Sequence, residues 1–196
     1  MNPTETKHLI RKLLPNIPIN GIDRILEISY FEVKENNEII SKRGNRAKKS
    51  FLILNGVVRG SFVTEKGIER NILLRSEGVF VADIDGAFNN KPQKLTFTSV
   101  GRVELLVFNF NEFEDLALKD PVVLKIYLGI LKEALTRLSY RVESLTTMTI
   151  EERYLDLLRL KPKFLKSALA KHIANYLGIT SVSLSRLIKR TNKKIT

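Results

Sequence analysis

Residues 172–190, HIANYLGITSVSLSRLIKR, contain two short runs of helical periodicity separated by a Gly-Ile-Thr corner. Gly178 stands where the end of a helix favours a left-handed residue, and Thr180 offers a side-chain oxygen that can cap the next helix. The small Ala174 lets two helices cross closely over a short turn. The stretch therefore predicts a helix-turn-helix, with Ser167 as the N-cap of its first helix and Leu169 on its inner face.

The second helix of this unit has two chemically different sides. At about 100° per residue, Leu184, Leu187 and Ile188 fall together, which predicts a buried side. The opposite side has no acid, one methyl-bearing residue near its start and an arginine one turn later. Such a face suits the major groove of DNA, where Arg can bind guanine and an apolar group can contact a thymine methyl. The candidate DNA contacts are Thr180, Ser181, Val182, Ser183, Arg186, Lys189 and Arg190.

The charge of the chain is concentrated in the same region. The formal net charge is +12, and residues 161–196 contribute nine bases and no Asp or Glu. A polyanion such as double-stranded DNA is therefore expected to bind the C-terminal part. No apolar run approaches the roughly 20 residues of a membrane span, and the N-terminus has no signal-peptide pattern. We expect a cytoplasmic protein with no membrane partner.

Composition also limits the possible cofactors and reactions. The chain has no cysteine and only two histidines, His8 and His172, which excludes a cysteine-ligated iron-sulfur cluster and a multi-histidine metal site. We expect no metal, no haem and no other cofactor. The sequence has no Gly-rich phosphate loop, Ser-His-Asp set or cluster of His and Glu ligands, so an enzyme is not expected.

The first half of the chain changes from helical to strand patterns. Two short helices are predicted around Leu9–Leu14 and Ile22–Leu26. From about Glu38 to Phe110, short apolar or alternating runs are separated by turn signals. Among them, Asn55-Gly56 predicts a two-residue hairpin, because a type I′ turn requires φ > 0 at both positions. Strands at this spacing with no helix between them predict an antiparallel barrel or jelly roll, and the whole chain an α+β fold.

A leucine-rich stripe follows from Pro121, which suits the first turn of a helix. Its members recur at spacings of 4, 3, 4, 3, 4 and 3 residues. This period of about 3.5 residues favours the seam of a parallel coiled-coil dimer over the alternative, a face packed back on the barrel. The seam residues are Leu124, Leu128, Leu131, Leu135, Leu138, Val142 and Leu145.

A separate unit begins after this helix. Thr149 and Glu152 form a capping-box pattern, and the helix that follows should end near Pro162. The boundary between the long helix and the C-terminal unit is therefore predicted near Thr146–Thr149.

The order of strands, long helix and helix-turn-helix resembles the Crp/Fnr family of bacterial transcription regulators. HIANYLGITSVSLSRLIKR is especially similar to members from Bacteroidetes-type bacteria, and FLILNGVVRGSF and FNFNEFEDL are family-like pieces of the strand region. The resemblance implies an N-terminal antiparallel β-roll of the cyclic-nucleotide-binding type, a long dimerisation helix and a helix-turn-helix domain. Their predicted ranges are 1–110, 111–147 and 148–196.

The resemblance also implies a homodimer that regulates transcription on a pseudo-palindromic site, with RNA polymerase as a further partner. It places Ser181, Val182 and Arg186 at base-contacting positions and Thr180 on a phosphate at the helix start. Val182 replaces an acidic residue of many members, so the target sequence should differ from theirs. The flanking β-hairpins of many relatives are short or missing here. The DNA backbone should then be bound by Lys189, Arg190, Lys193 and Lys194, with Lys163 and Lys166.

A bound effector is the least determined part of the prediction. Cyclic-nucleotide-binding members resemble one another in a Gly-Glu-Leu stretch for the ribose and an Arg-Ser/Thr-Ala stretch for the phosphate. Here residues 82–84 are Ala-Asp-Ile and residues 93–95 are Gln-Lys-Leu, so the arginine fork is lost. Three alternatives stay open: a β-roll kept as scaffold, a different small effector and, least favoured, a cyclic nucleotide. The candidate effector contacts are Arg75, Asp83, Lys94, Thr136 and Ser139.

The leading hypothesis is thus a dimeric DNA-binding regulator. The alternative is a small-ligand sensor that acts through a protein partner without binding DNA. An apolar outer face on the second helix would favour that alternative, but Val182 is the only apolar residue there.

Overall fold

The computed structural model describes residues 3–46, 48–160 and 170–195, and contains helices and one antiparallel sheet in the predicted order. The elements are α1 (Pro3–Leu13), α2 (Ile19–Glu27), β1 (Ser29–Lys34), β2 (Ile39–Ser41), β3 (Lys49–Val63), β4 (Glu69–Ser76), β5 (Phe80–Val81), α3 (Ile84–Phe88), β6 (Thr96–Asn109), α4 (Phe110–Lys119), α5 (Pro121–Thr147), α6 (Ile150–Leu160), α7 (Ala170–Leu177) and α8 (Ser181–Ile195).

The sheet is built around two long strands, β3 and β6. Its path is β1-β6-β3-β4, with β2 also pairing with β6 and β5 also pairing with β3, and every pair is antiparallel. Each long strand thus changes its outer neighbour along its length, which wraps the sheet into a roll. The α+β class, the β-roll, the long helix and the helix-turn-helix are confirmed.

The hairpin prediction at Asn55-Gly56 is wrong, because β3 continues through both residues. The strand pairs with β6 before and after this point, from Ile53 opposite Leu105 to Val57 opposite Val100. A type I′ turn needs a positive φ at both central residues, and here Gly56 has it whereas Asn55 does not. The register is irregular instead, which makes this site a β-bulge.

Gly56 is required at the bulge by close approach of the neighbouring strand. A Cβ atom at this position would lie 2.5 Å from the carbonyl oxygen of Arg102 on β6. Its φ of +90° also lies in the region that side chains disfavour. The chain reverses later instead, at residues 64–68, where the Thr64 backbone N–H donates to the Ile68 carbonyl at 2.9 Å.

The bulge changes which side chains of β3 lie inside the roll. Before it, Phe51 and Ile53 pack in the roll interior and Leu52 packs against helices. After it, Val58 is the interior residue, and Val57 packs against the C-terminal helices. Side chains of a strand alternate with a period of two, so one irregular step inverts the pattern. A single strand therefore contributes to three hydrophobic clusters: the roll interior, the layer under the N-terminal helices and α5, and the layer under the C-terminal helices.

Strand β1 is missing from the predicted strand region, which begins near Glu38. It pairs residue for residue with β6, from Ser29 opposite Phe108 to Lys34 opposite Val103. Its sequence, SYFEVK, contains the aromatic Tyr30 and Phe31 and the β-branched Val33, residue types that favour a strand. The length of β6 requires this partner, because its C-terminal half would otherwise have an unpaired edge.

Helix α5 begins as the sequence predicts. Asp120 caps it by accepting from the backbone N–H groups of Val122 and Val123, and Pro121 lies in the first turn. Val123 and Ile126 are buried against the roll. Together with Tyr127 and Ile130, which pack on the same cluster, these residues hold the first half of α5 against the rest of the chain.

The leucine stripe does not pack back on the sheet of its own chain. Leu135 is 67% exposed, and most of the other members are at least half exposed. Exposed apolar side chains in such a row are unusual on a monomer and are typical of an interface. The exposed members are Leu128, Leu135, Leu138, Val142 and Leu145, whereas Leu124 and Leu131 are half-buried.

The capping box at the start of α6 is confirmed. The Thr149 backbone N–H donates to the Glu152 carboxylate at 2.7 Å, and the Glu152 N–H donates to the Thr149 hydroxyl at 3.3 Å. The break between α5 and α6 falls at Met148. The division into three domains stays a prediction, and the predicted cap Ser167, together with Leu169, Lys163 and Lys166, lies outside the described residues.

Candidate nucleic-acid interface

The turn between α7 and α8 has the geometry that its sequence predicts. Gly178 has a φ of +80°, its N–H donates to the Asn175 carbonyl at 3.1 Å, and the Ile179 N–H donates to the Ala174 carbonyl at 2.9 Å. This pair of bonds is a Schellman motif, which satisfies the last carbonyls of a helix as the chain turns away. The predicted helix C-terminus at Gly178 is confirmed.

Thr180 caps the following helix. Its hydroxyl accepts from the Ser183 backbone N–H at 3.1 Å and lies 2.9 Å from the Ser183 hydroxyl. The Thr180 carbonyl also accepts the first helical bond, from Leu184. The cap fixes the direction in which α8 leaves the turn.

The outer face of α8 is the candidate DNA-binding surface. Every predicted contact residue on it is exposed, and Val182 is 61% exposed near its start. Helices α7 and α8 contain no Asp or Glu. The exposed residues are Thr180, Ser181, Val182, Ser183, Arg186, Lys189 and Arg190, while the side chains of Lys193 and Lys194 lie outside the described residues.

The inner face of α8 is buried, and the core that it forms extends to the outer side of the roll. Leu184 and Leu187 pack with Ile173 and Leu177 of α7, as the periodicity predicts. The same cluster includes residues of the sheet that the sequence gave no reason to connect with it. These are Val57 of β3, Leu74 of β4 and Val100 of β6. The helix-turn-helix is thus held against the outer side of the roll.

Asn175 of α7 joins this unit to the edge of the sheet. Its Oδ1 accepts from the Asn71 backbone N–H at 2.6 Å, and its Nδ2 donates to the Glu69 carbonyl at 2.8 Å. β4 is at the end of the sheet path, so these strand groups face away from the ladder. The side-chain amide therefore pairs with the edge strand as a neighbouring strand would. The sequence has no signal for this role, because it depends on the docking of α7.

His172 is the other polar residue of α7 at this contact. Its side chain is buried and its Nε2 has no hydrogen-bond partner. Burial, followed by the charges of Arg59 and Lys171, lowers the pKa of His172 below its usual value. His172 is therefore neutral in the folded chain near pH 7. The other histidine, His8, is exposed on α1.

The predicted effector residue Asp83 is fully used by the chain itself. Its Oδ1 accepts from the Gly86 N–H at 3.0 Å, and its Oδ2 accepts from the N–H groups of Lys94 at 3.1 Å and Leu95 at 3.0 Å. The first bond caps α3 and the other two tie the following loop to it. The void beside Asp83 and Gln93 is about 10 Å³, close to the limit for one water molecule.

The other candidate effector residues do not converge on this corner. Lys94 is exposed and forms a 2.7 Å ion pair with Asp85, which raises the pKa of Lys94. Arg75 and Thr136 instead line a cavity of about 280 Å³ under the C-terminal helices. Ser139 is exposed on α5 outside that cavity. The structure thus brings together two of the five residues and separates the rest.

The described residues contain no cluster of three or more His, Asp or Glu side chains that could hold a metal ion. Within these residues no helix combines the length and the apolar character needed to cross a lipid bilayer.

Several solved structures share this fold. FixK2 from Bradyrhizobium japonicum has a TM-score of 0.72 at 17% identity, over 85% of this chain and 86% of its own. CLP from Xanthomonas campestris, described as a c-di-GMP responsive global regulator, has a TM-score of 0.71 at 15% identity, over 90% and 93%. The catabolite activator protein of Thermus thermophilus has a TM-score of 0.55 at 17% identity, over 93% and 87%.

These similarities define the class of the fold: a β-roll, a long helix and a helix-turn-helix in one chain. The structural neighbours are regulators of the Crp/Fnr kind, so the fold that the sequence resemblance implies is confirmed. At sequence identities this low, the similarity shows a shared fold and nothing more. No protein-family model matches the sequence, and no curated protein matches it significantly.

Proposed function

We propose that the protein is a DNA-binding transcription regulator of the Crp/Fnr type rather than an enzyme, and that it acts in the cytoplasm. The strongest support is the outer face of α8, which is exposed, free of acids and begins at a capped N-terminus. Arg186 is the donor best suited to bind guanine, and Val182 is suited to a thymine methyl. The basic residues beyond Arg186 supply sequence-independent attraction to phosphates.

We further propose that the regulator is a homodimer joined through the leucine stripe of α5. The exposed leucines support this arrangement, since pairing two copies would bury them in a coiled coil. Two copies of α8 would then enter successive major grooves about 34 Å apart on a pseudo-palindromic site. Contact with RNA polymerase stays a prediction.

An effector in the β-roll is supported less well than DNA binding. The corner beside Asp83 is filled by the chain's own hydrogen bonds, which argues against cyclic AMP bound there. We propose that the corner serves as scaffold. Any effector would act by shifting the population of two arrangements of the C-terminal unit.

DNA binding is tested by selecting bound fragments from random duplex DNA and measuring their affinity by fluorescence anisotropy over a salt series. The logarithm of the binding constant should fall linearly with the logarithm of salt, with a slope near 0.9 per phosphate neutralised. If no fragment is enriched and no affinity is measured, the proposal fails and the protein-partner alternative takes its place.

Arg186→Ala tests the base contact on the selected site. The change should cost about 1 to 3 kcal/mol of binding and relax one base position in each half-site. Arg159→Ala on α6 is the matched control, because Arg159 is exposed and paired with Asp156 outside the candidate surface. Equal weakening on all sequences would show that Arg186 contacts phosphate only.

The dimer is tested by sedimentation of the chain with Leu135 and Leu138 both changed to Gln. Both side chains are more than half exposed, so the folded monomer should tolerate the change while the dimer dissociates. Leu118→Gln on α4 is the control, since Leu118 is 75% exposed and lies off the stripe. A double variant that remains a dimer would place the interface elsewhere.

A further inference from the structure

The cavity under the C-terminal helices is formed by four elements that come from both sides of Met148. Arg75 is on β4, Arg137 and Arg141 are on α5, Arg153 is on α6 and Tyr176 is on α7. Its volume of about 280 Å³ is near the lower end of the range for small-ligand sites, roughly 300 to 1,000 Å³. It is distinct from the filled corner at α3, with which it shares no lining residue.

The charge around this cavity is not balanced by the protein. Of the four guanidinium groups that line it, Arg137 is paired with Glu133. Among the described residues, Arg75, Arg141 and Arg153 have no ion pair with a carboxylate. The one carboxylate on the wall, Asp156, is bound to the Tyr140 hydroxyl and to Arg159.

Each of the three unpaired guanidinium groups is held by neutral partners. Arg75 donates to the Leu74 carbonyl at 3.1 Å, and burial lowers the pKa of Arg75. Arg141 lies 4.0 Å from the centre of the Tyr176 ring and donates to the Tyr176 carbonyl at 2.7 Å. Arg153 donates through Nη1 to the Met148 carbonyl at 3.4 Å, whereas its Nε is buried and has no hydrogen-bond partner. The donors are thus oriented but not neutralised.

We propose that this junction cavity binds a small phosphate-bearing anion. Arg75, Arg141 and Arg153 are partly buried. A cation partly withdrawn from water without a counter-charge is costly, and an anion that enters the cavity would reduce that cost. A phosphate group carries a charge of about −1.5 to −2 near pH 7 and three acceptor oxygens, which suits several guanidinium groups better than a single carboxylate does. The planar fork of Arg matches phosphate oxygens in pairs.

Occupancy of the cavity would also bias the position of the helix-turn-helix. The anion would contact α7 together with β4 and α5, so it would favour the arrangement in which α7 lies on the roll. A ligand stabilises the arrangement that it binds by mass action. The link from this effect to DNA affinity rests on the proposed function, whereas the binding itself does not.

The experiment measures thermal unfolding of the full chain with inorganic pyrophosphate at constant ionic strength and without DNA. At about 100 times the dissociation constant the midpoint should rise by roughly 5 °C or more. Arg153→Gln and Arg75→Gln should each abolish this rise, whereas Arg159→Gln, outside the cavity on the same helix as Arg153, should keep it. Arg186→Ala should also keep the rise, because α8 contributes no residue to the cavity.

Two results would overturn the inference. An equal rise in all four variants would place the binding on the general basic surface, and no rise in the wild-type chain would leave the cavity without affinity for phosphate. If Arg75→Gln does not fold, Arg153→Gln and calorimetric titration decide the question. Glycerol 3-phosphate is the second probe. A response to glycerol 3-phosphate alone would identify a phosphate ester as the ligand, and a response to pyrophosphate alone would identify an inorganic phosphate.

Failure of this inference is distinguishable from failure of the proposed function. A chain that binds DNA but shows no pyrophosphate response loses only the cavity site. A chain that responds to pyrophosphate through Arg75 and Arg153 but binds no DNA keeps the cavity site and loses the proposed function.

Discussion

The corner of the roll at α3 and the junction under α7 differ in how their charges are paired. In the corner, the buried carboxylate of Asp83 accepts three backbone N–H groups and needs nothing from outside. In the junction, Arg75, Arg141 and Arg153 have only neutral partners, and the Nε of Arg153 has none. The first arrangement stabilises one conformation, and the second is completed by an added anion. The position of a ligand site within this fold therefore depends on side-chain pairing rather than on topology.

The largest loss of stability is expected when the hydrogen bonds in the corner at α3 are removed. Asp83→Ala leaves three backbone N–H groups without an acceptor and should reduce the free energy of unfolding by about 3 to 5 kcal/mol, measured by urea denaturation. Pyrophosphate should not restore this loss specifically, because the corner has no room for it. The free energy of unfolding of Asp83→Asn, which keeps one carbonyl acceptor, should lie between those of the wild-type chain and Asp83→Ala. A loss below about 1 kcal/mol would mean that water replaces the carboxylate.

A smaller effect is expected when the junction loses its link to the edge strand. Asn175→Ala removes two hydrogen bonds to β4 and should cost about 1 to 2 kcal/mol, since water reaches the freed strand groups. Amide hydrogen exchange at Asn71 should quicken more than exchange in β3. Asn175→Asp keeps the acceptor for the Asn71 N–H and loses the donor to Glu69, so an intermediate result is expected. Unchanged exchange at Asn71 would show that α7 does not protect this edge.

The smallest effect is a pH dependence confined to the junction. The folded-state pKa of His172 is lowered, so its contribution to stability is present above the unfolded pKa of about 6.5 and is lost as pH falls below it. Unfolding curves between pH 7 and pH 5 should therefore show less acid sensitivity in His172→Gln than in the wild-type chain. His8→Gln is the control, because His8 is exposed. If His172→Gln and His8→Gln showed the same pH dependence of stability, His172 would not be the group responsible for the acid sensitivity.

The helix-turn-helix was predictable because its signals are local. A glycine in the left-handed region, a threonine cap and a stripe of period 3.6 each act within a few residues, as at Gly178 and Thr180. The Asn55-Gly56 dipeptide is also a local signal, but it gave the wrong result. A positive φ at Gly56 suits a bulge as well as a turn, and pairing with β6 on both sides selects the bulge.

The positions of the candidate effector residues, in contrast, could not be predicted from local sequence signals. Arg75 and Thr136 are 61 positions apart in the numbering and line one cavity, whereas Asp83, only eight positions from Arg75, serves a different corner. Which residues meet depends on how α5 and α7 dock on the roll, and docking has no signature in a single sequence. Asn175 was missed for the same reason. The leucine stripe could be recognised from its period, which favours a seam over a face packed on the roll, and its exposure agrees with that prediction. That the stripe joins two copies stays a proposal.

The inverted alternation at the β3 bulge has a practical consequence for protein engineering. Met148 marks the end of the long helix and is an obvious place to join the N-terminal half to a different C-terminal half. Val57, Leu74 and Val100, however, are covered by α6, α7 and α8 of the native chain. A chimera cut at Met148 would expose these three side chains to water unless the incoming half carries apolar residues that match them. Compatible halves should be chosen by this contact rather than by the length of the helix.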